Sequence, residues 1–185
     1  MQRALIVYAS SHGQTREIAH RIAARLRECK FAVVIADTSQ PVHLPAPTGF
    51  DLVIVGSRIQ FGRHSSSVIA YLHTYRQPLQ ATASAFFSVS MAAANGGDDP
   101  NGYLTAMFDS VGWRPPVTAA IGGALVYRQY NVLLRFIMKR IAKAGGHATD
   151  TSRDHFYTDW SRVTDFADRA VALTVHASPS LRAAT

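Results

Sequence analysis

Apolar residues along the chain fall into short continuous runs that alternate with stretches of helical spacing. The continuous runs, typical of strands covered on both faces, occupy residues 4–9, 31–36, 52–55, 83–89 and 117–126. Apolar positions three and four residues apart predict helices over residues 14–28, 65–75, 99–111 and 160–175. Thr158 or Asp159 is suited to cap the last helix. Strands alternating with helices predict right-handed crossovers and a doubly wound, mostly parallel α/β sheet.

Five strands in this order match a flavodoxin-like arrangement, with helices on both faces of a parallel sheet. We expect one domain over residues 1–175, with a basic helical insertion at about residues 127–150 and a flexible tail at 176–185. Ligands of such sheets lie beyond the carboxyl ends of the strands. The loops after the first, third and fourth strands are therefore the candidate site.

The first of these loops is rich in short polar side chains. Its residues are Ser10, Ser11, His12, Gly13, Gln14 and Thr15. Hydroxyls and backbone N–H groups at the amino end of a helix hold a phosphate without needing a lysine. An ordinary turn with hydroxyl caps is the better explanation of this loop taken alone. The Rossmann pattern G-x-G-x-x-G and the P-loop pattern are both absent, whereas hydroxyl-rich loops in this position resemble the flavodoxin loop that holds the phosphate of FMN.

The other two loops combine glycines, small side chains and an aromatic residue. Gly56 and Gly62 bracket Ile59 and Phe61, which suits close approach to a flat ring such as isoalloxazine. A surface loop anchored by one aromatic residue is an equal alternative. The residues assigned to the cofactor from these loops are Ser57, Ile59, Gln60, Phe61, Gly62, Ser88, Val89 and Ser90. The three loops together, in the right topological order, predict FMN.

Charge is distributed unevenly along the chain. Nineteen Lys and Arg against twelve Asp and Glu give a net charge of +7, which favours acidic partners. The candidates for substrate or membrane contact are the late cations Arg128, Arg135, Lys139, Arg140 and Lys143. Arg135, Lys139 and Lys143 lie opposite an apolar stripe on a predicted helix over residues 132–143, about 18 Å long, which is too short to cross a bilayer but suited to its interface. Packing of the same stripe in the core or in a dimer is an equal alternative.

Cysteine content and the amino terminus indicate a cellular compartment. Cys29 is the single cysteine, which favours a reducing environment. The first strand pattern begins within three residues of Met1, so we expect no signal peptide. We therefore expect a cytoplasmic protein, peripherally associated with the inner face of the cell membrane. The histidines show no metal-binding spacing, and we expect no metal.

Several motifs resemble one known family. They are GQTREIA at 13–19, SAFFSV at 84–89, WRP at 113–115, GGALVY at 122–127, the basic FIMKRI segment, GG followed by TDT, and YTDW at 157–160. The chain resembles, from Gln2 to about Leu173, the bacterial flavodoxin-like, menaquinone-dependent protoporphyrinogen IX dehydrogenases, the oxygen-independent protoporphyrinogen oxidases of haem synthesis. The basic insertion between GGALVY and TDT, followed by YTDW, is the more specific part.

The resemblance implies FMN, protoporphyrinogen IX as hydrogen donor, and menaquinone or ubiquinone as acceptor. It also implies that the insertion contacts an anionic membrane surface or the substrate. Two departures stand out: Gln60 and Phe61 replace the Arg and Tyr of a common Ile-Arg-Tyr-Gly loop, and His12 replaces Asp or Thr. Both affect substrate contacts more than FMN binding.

The implied chemistry is hydride transfer to the flavin, with the protein orienting the reactants. His12, His64 and Arg58 are candidates for catalysis, although a structural role is the preferred interpretation of both histidines. The cations that could neutralise the propionates of a tetrapyrrole are Arg58, Arg63, Arg128 and Arg135. An electron-carrier flavodoxin and an NAD(P)H:quinone reductase are the alternative functions. Nucleic-acid binding lacks a recognition motif, and the oligomeric state is open, a homo-oligomer included.

Overall fold

The computed structural model describes residues 1–40, 44–125, 136, 137, 139, 140, 143, 146, 150–152 and 154–176. The strands are β1 (Arg3–Ala9), β2 (Ala32–Asp37), β3 (Leu52–Gln60), β4 (Arg63–His64), β5 (Ala83–Ser90), β6 (Val117–Gly122), β7 (Ala124–Leu125) and β8 (His155–Phe156). The helices are α1 (Gln14–Glu28), α2 (Ser66–Thr74), α3 (Arg76–Ala81), α4 (Tyr103–Val111) and α5 (Trp160–His176). Short 3₁₀ turns occupy Ala92–Asn95 and Pro100–Gly102.

Parallel strands form the central sheet in the order β2-β1-β3-β5-β6, which confirms the predicted doubly wound fold. Successive residues of β1 point to opposite faces, so that Ile6 joins one hydrophobic cluster while Leu5 and Val7 join the other. Helices α1 and α5 cover the first cluster, and α2, α3 and α4 cover the second. Both faces of the sheet are buried, which explains the unbroken apolar runs of its strands.

Helix α1 has the predicted bounds because apolar residues on one face pack against the sheet. Ile18, Ile22 and Leu26 are fully buried. The helix ends where Lys30 adopts φ 67°, and the amide of Phe31 donates to the carbonyl of Leu26. This Schellman arrangement satisfies the last carbonyls and buries Phe31 against the helix end.

The last helix begins as the sequence predicts. The carboxylate of Asp159 accepts hydrogen bonds from the amides of Ser161 and Arg162 and so caps α5. Thr158, the other predicted cap, makes different contacts that are described below.

Four boundaries differ from the sequence prediction. The third strand continues to Gln60 instead of ending at residue 55, because Gly56 lies in the sheet with the Phe87 ring over it, where a Cβ atom would come within 2.1 Å of the ring. Residues 76–81 form a further helix despite Pro78, which sits in its first turn where a proline is tolerated. The predicted strand 117–126 divides at Gly123 into β6 and β7, and β7 pairs with β8. Helix α4 begins at Tyr103, since Asn101 has φ 64°.

Within the part of the chain that the structure describes, no helix is both long and apolar enough to cross a lipid bilayer.

Candidate functional site

The register of the sheet brings the three predicted loops to one edge. Ala9 pairs with Ser57, and Ser57 pairs with Ser88, so β1, β3 and β5 reach their carboxyl ends side by side. Residues 10–15 follow β1, and we call them the phosphate end of the site. Residues 57–64 and 91–102 follow across the sheet, and we call them the ring end. The candidate site is therefore contiguous, as the order of the loops predicts.

The phosphate end consists of a tight turn into α1. Gly13 adopts φ 89°, a left-handed conformation that favours glycine, and a Cβ atom there would meet no heavy atom within 4 Å. The hydroxyl of Ser10 accepts a hydrogen bond of 3.2 Å from the Gly13 amide. Ser11 is exposed, whereas Thr15 is only 2% exposed.

The amino end of α1 fits an anionic group. Its first intrahelical bond runs from the amide of Glu17 to the carbonyl of Gly13, so the amides of the first turn have no helical acceptor. No described side chain caps them. Because a helix amino end carries partial positive charge, these amides and the open space above Gly13 suit the phosphate of a flavin nucleotide.

The sequence predicts that Gln14 belongs to the phosphate-binding loop, and in the structure its side chain contacts Thr158. The side-chain amide donates a hydrogen bond of 2.7 Å to the hydroxyl of Thr158. The Thr158 hydroxyl in turn donates to the carbonyl of Gly122, also at 2.7 Å. The side chain of Gln14 therefore holds a distant segment, which leaves its backbone amide as the group available to a phosphate.

The second loop is a hairpin at the ring end. β3 and β4 pair antiparallel with Gln60 opposite Arg63, and the two residues of the turn, Phe61 and Gly62, have φ 51° and 74°. Left-handed conformations at both positions are typical of a type I′ turn. A bulky aromatic residue rarely adopts this conformation, and such strain is concentrated at ligand sites. The Phe61 side chain is 62% exposed, so it is available to contact a ring.

The hairpin packs against the beginning of α4. A Cβ atom on Gly62 would lie 3.5 Å from the ring of Tyr103, and the ring of His64 meets Phe86 edge-on at 5.7 Å. Both ring nitrogens of His64 are buried without a regular hydrogen bond to any described residue. Burial lowers the pKa of His64 to about 4, an effect that the Tyr103 backbone and the Asp99 carboxylate only partly offset. A neutral histidine in these contacts packs the hairpin, which favours a structural role over proton transfer.

Arg58 and Gln60 lie on the same face of β3, two residues apart. Nη1 of Arg58 donates a hydrogen bond to Oε1 of Gln60, so the glutamine orients the guanidinium. His12 lies close by, across from β3: its burial and the positive charge of Arg58 both lower the pKa of His12. The half-buried guanidinium of the second loop therefore lies within electrostatic reach of the first loop.

The side chains predicted from the fourth strand run are buried in β5. Ser88, Val89 and Ser90 are at most 7% exposed, and the hydroxyl of Ser90 accepts a hydrogen bond from the Ala93 amide. The exposed part of this loop comes later and contains left-handed backbone at Gly96, Gly97 and Asn101. The exposed surface of this loop therefore begins after Ser90, and the assignment of Ser88, Val89 and Ser90 to the cofactor stays a prediction.

Residues 157–162, the return segment, are the part of the site that sequence reasoning missed. Thr158 reaches the phosphate end as described above, and Arg162 donates to the carbonyl of Gly97 and to the Asp98 carboxylate, both at 2.8 Å. The YTDW motif is the sequence signal for this segment, but along the chain it indicates only a family resemblance and a helix cap. The contact between Thr158 and Gln14 joins residues 144 positions apart, so it cannot be recognised from the sequence pattern.

The predicted basic insertion lies largely outside the described residues, and Arg128 and Arg135 are among those outside. Lys139, Arg140 and Lys143 are described, and all three are helical and exposed. Phe136 is helical in the same stretch and 59% exposed.

A cavity of about 760 Å³ lies at the opposite end of the strands. Its lining includes Ala83 at the start of β5, Trp113 and Arg114 after α4, and Leu173 near the end of α5. It therefore does not belong to the site formed by the three loops.

Comparison with known proteins agrees with this geometry. A family model described as a flavodoxin domain matches residues 5–152. The chain is 33% identical over 175 residues to the protoporphyrinogen IX dehydrogenase [quinone] of Escherichia coli strain K12, covering 93% of this chain and 96% of that protein. A protein of the same name from Leishmania major is 29% identical over 187 residues, covering 99% and 80%.

Solved structures show the same fold. A flavodoxin from the domain Archaea matches with a TM-score of 0.52 at 12% identity, covering 95% of this chain and 98% of that chain. The flavodoxin domain and fold imply a flavin cofactor. On this similarity, which extends over nearly all of its length, the chain belongs to the flavodoxin domain family and, within it, to the quinone-dependent protoporphyrinogen IX dehydrogenases.

Proposed function

We propose that this protein oxidises protoporphyrinogen IX to protoporphyrin IX with FMN as its cofactor and passes the electrons to a membrane quinone. The single observation that carries the proposal is the 33% identity over 93% of the chain to the Escherichia coli dehydrogenase. The arrangement of three loops at one sheet edge supports it independently, because this edge suits a flavin.

FMN is the flavin that the phosphate end favours. One helix amino end, one left-handed glycine and the hydroxyls around them suit a single terminal phosphate. When bound, the flavin supplies the two-electron acceptor for dehydrogenation. The chain's own contribution is then to hold the phosphate at residues 10–15 and to place Phe61 at the ring.

Arg58 is suited to orient the substrate. The tetrapyrrole carries propionate groups, and a guanidinium binds a carboxylate through paired hydrogen bonds. Gln60 holds this guanidinium from the same strand, so the glutamine that departs from the family loop positions a cation already present two residues earlier. Substrate carboxylates would then be held beside the flavin loops.

Delivery of electrons to a quinone requires access to the membrane. Lys139, Arg140 and Lys143 are exposed cations on a helical stretch, and Phe136 exposes an aromatic side chain there. Basic side chains near a bilayer are attracted by anionic lipids, each by about 1 kcal/mol. We infer peripheral association of this stretch with an anionic membrane surface.

Spectroscopy and turnover test the function. The purified protein should show the absorbance bands of a bound flavin and release FMN on denaturation. Under anaerobic conditions it should generate fluorescent protoporphyrin from protoporphyrinogen and a quinone, above a blank without enzyme. Colourless protein that takes up no FMN would remove the redox proposal. Turnover of quinone with NADPH, but none with protoporphyrinogen, would favour a reductase instead.

Vesicle binding tests the membrane contact. Co-sedimentation with anionic vesicles should fall when Lys139, Arg140 and Lys143 are all replaced by Gln, and should fall for the native protein at high salt. The matched control replaces three exposed cations of α1 and its end, Arg21, Arg27 and Lys30, by Gln. Equal losses in the two triple variants would show that net charge, rather than this stretch, determines binding.

A further inference from the structure

The return segment holds the phosphate end from a distance of 144 residues along the chain. Gln14, Thr158 and Gly122 form a continuous chain of hydrogen bonds, each 2.7 Å long. The carbonyl of Gly122 can only accept a hydrogen bond, so the Thr158 hydroxyl must donate its single proton to that carbonyl. Gln14 must therefore present its NH₂ group to Thr158, which fixes both the position and the orientation of the glutamine amide.

Close backbone packing makes this contact possible. A Cβ atom on Gly122 would lie 2.3 Å from the carbonyl oxygen of Tyr157, so only glycine lets the return segment approach β6. The amide of Tyr157 also donates to the carbonyl of Gly123. The backbone of Tyr157 and the hydroxyl of Thr158 are therefore both held against Gly122 and Gly123, and Thr158 offers a fixed point to Gln14.

The residue held by Thr158 occupies a sensitive position. Gln14 is the first residue of α1, it is 9% exposed, and it follows Gly13, the most flexible type of residue. Its own backbone amide is one of the amides without a helical acceptor. A fixed Gln14 side chain therefore orients that amide before any ligand binds, which lowers the entropy lost on binding.

We propose that Thr158 is a positioning residue for the flavin phosphate, acting through Gln14 on the amides at the amino end of α1. This inference rests on the proposed use of FMN. It assigns a role to the YTDW motif that neither a family resemblance nor helix capping supplies. Because the contact between Thr158 and Gln14 acts only at the phosphate end, its loss should weaken the binding of FMN but not that of riboflavin, which has the same ring and no phosphate.

Binding of the two flavins to the deflavinated protein tests the proposal. In Thr158→Val, which keeps the shape and removes the hydroxyl, the Kd of FMN measured by fluorescence quenching should rise about tenfold, while the Kd of riboflavin stays within about twofold. Thr158→Ser should restore FMN binding. The matched control is Thr164→Val in α5, where the hydroxyl donates to the Trp160 carbonyl of its own helix, and it should leave both constants unchanged.

A second readout is the ³¹P chemical shift of bound FMN, which should move in Thr158→Val and stay in place in Thr158→Ser. If Thr158→Val fails to fold, Gln14→Met removes the other end of the same hydrogen bond and should produce the same selective loss. Equal weakening of FMN and riboflavin would reduce Thr158 to a structural residue, and unchanged FMN binding would remove the proposal. A native protein that binds neither flavin would overturn the proposed function, and this inference with it.

Discussion

The two ends of the candidate site are built in different ways. The phosphate end is a short turn whose one left-handed residue is Gly13, and its backbone is held through Gln14 by a segment from the far end of the chain. The ring end has left-handed backbone at Phe61 and Asn101, a conformation that is unfavourable for residues with a side chain. Its Phe61 side chain is exposed.

We expect the phosphate end to determine the affinity for the FMN phosphate, and the ring end to position the flavin ring and the substrate. A phosphate is held by backbone amides that need only the correct orientation, so an unstrained turn fixed by a few hydrogen bonds is sufficient. A flavin ring and a substrate need specific side chains in specific places, and the strained hairpin is where the fold supplies them. Changes at the phosphate end should therefore affect FMN alone, whereas changes at the ring end should affect any flavin.

The largest effect should follow a negative charge at the phosphate end. Ser11→Asp places a carboxylate beside the phosphate, and unit charges about 4 Å apart repel by about 4 kcal/mol near a protein surface. We expect the Kd of FMN to rise at least about a hundredfold, with riboflavin little affected. Ser11→Asn, nearly the same shape without the charge, is the control. Equal loss of both flavins in Ser11→Asp would contradict the division between the two ends.

Acid should weaken the ring end through His64. Burial depresses the pKa of His64 from 6.5 to about 4, so below pH 6.5 the unfolded chain takes up a proton that the folded protein does not. Stability is thus fully present above pH 6.5 and is lost as the pH falls toward 4, by up to about 3 kcal/mol at 1.36 kcal/mol per pKa unit.

His64→Phe removes this titration and should flatten the difference in unfolding free energy between pH 7 and pH 4.5. Denaturant unfolding at the two pH values measures it. Replacement of His20, an exposed histidine of α1, by Gln is the matched control for removing a histidine from the protein surface. If His64→Phe loses as much stability in acid as the native protein, His64 is not the group responsible.

A methyl group on Gly122 should loosen the return segment. Its Cβ atom would lie 2.3 Å from the carbonyl oxygen of Tyr157, so Gly122→Ala should cost about 2 kcal/mol of unfolding free energy and weaken FMN more than riboflavin. Gly123→Ala is the matched control, since its Cβ atom would meet its nearest neighbour at 3.5 Å, an ordinary contact. Thermal unfolding and the two Kd values distinguish them, and equal behaviour of the two variants would argue against the close approach.

The smallest effect should come from the exposed aromatic residue. Phe61→Ala removes a ring contact worth about 1 kcal/mol, so FMN and riboflavin should both weaken about fivefold. Phe156, which is 65% exposed in β8 and outside the three loops, provides Phe156→Ala as the control. A loss confined to FMN in Phe61→Ala would show that the hairpin acts on the phosphate and not on the ring.

Local periodicity determined much of this protein. The bounds of α1 follow from apolar spacing, because a helix with one buried face repeats its apolar residues at a fixed period. The five parallel strands and the order of the three loops follow from unbroken apolar runs, because strands covered on both faces are apolar throughout. The family resemblance also followed from the sequence, and the relatives confirm it. The assignment of individual residues to the flavin remains a prediction.

Tertiary structure decided what each residue contacts. From the sequence we expect Gly56 to begin a loop, but it lies in β3 and leaves space for the Phe87 ring. Thr158 is a candidate helix cap, but its hydroxyl accepts a hydrogen bond from Gln14. Gln60 suggested a lost cation and instead orients Arg58. The Gly56–Phe87 and Gln14–Thr158 contacts depend on the register of neighbouring strands and on the return of a distant segment, whereas a linear pattern records only neighbours along the chain. The Arg58–Gln60 contact is local, and it forms because β3 continues past residue 55 and places both side chains on one face.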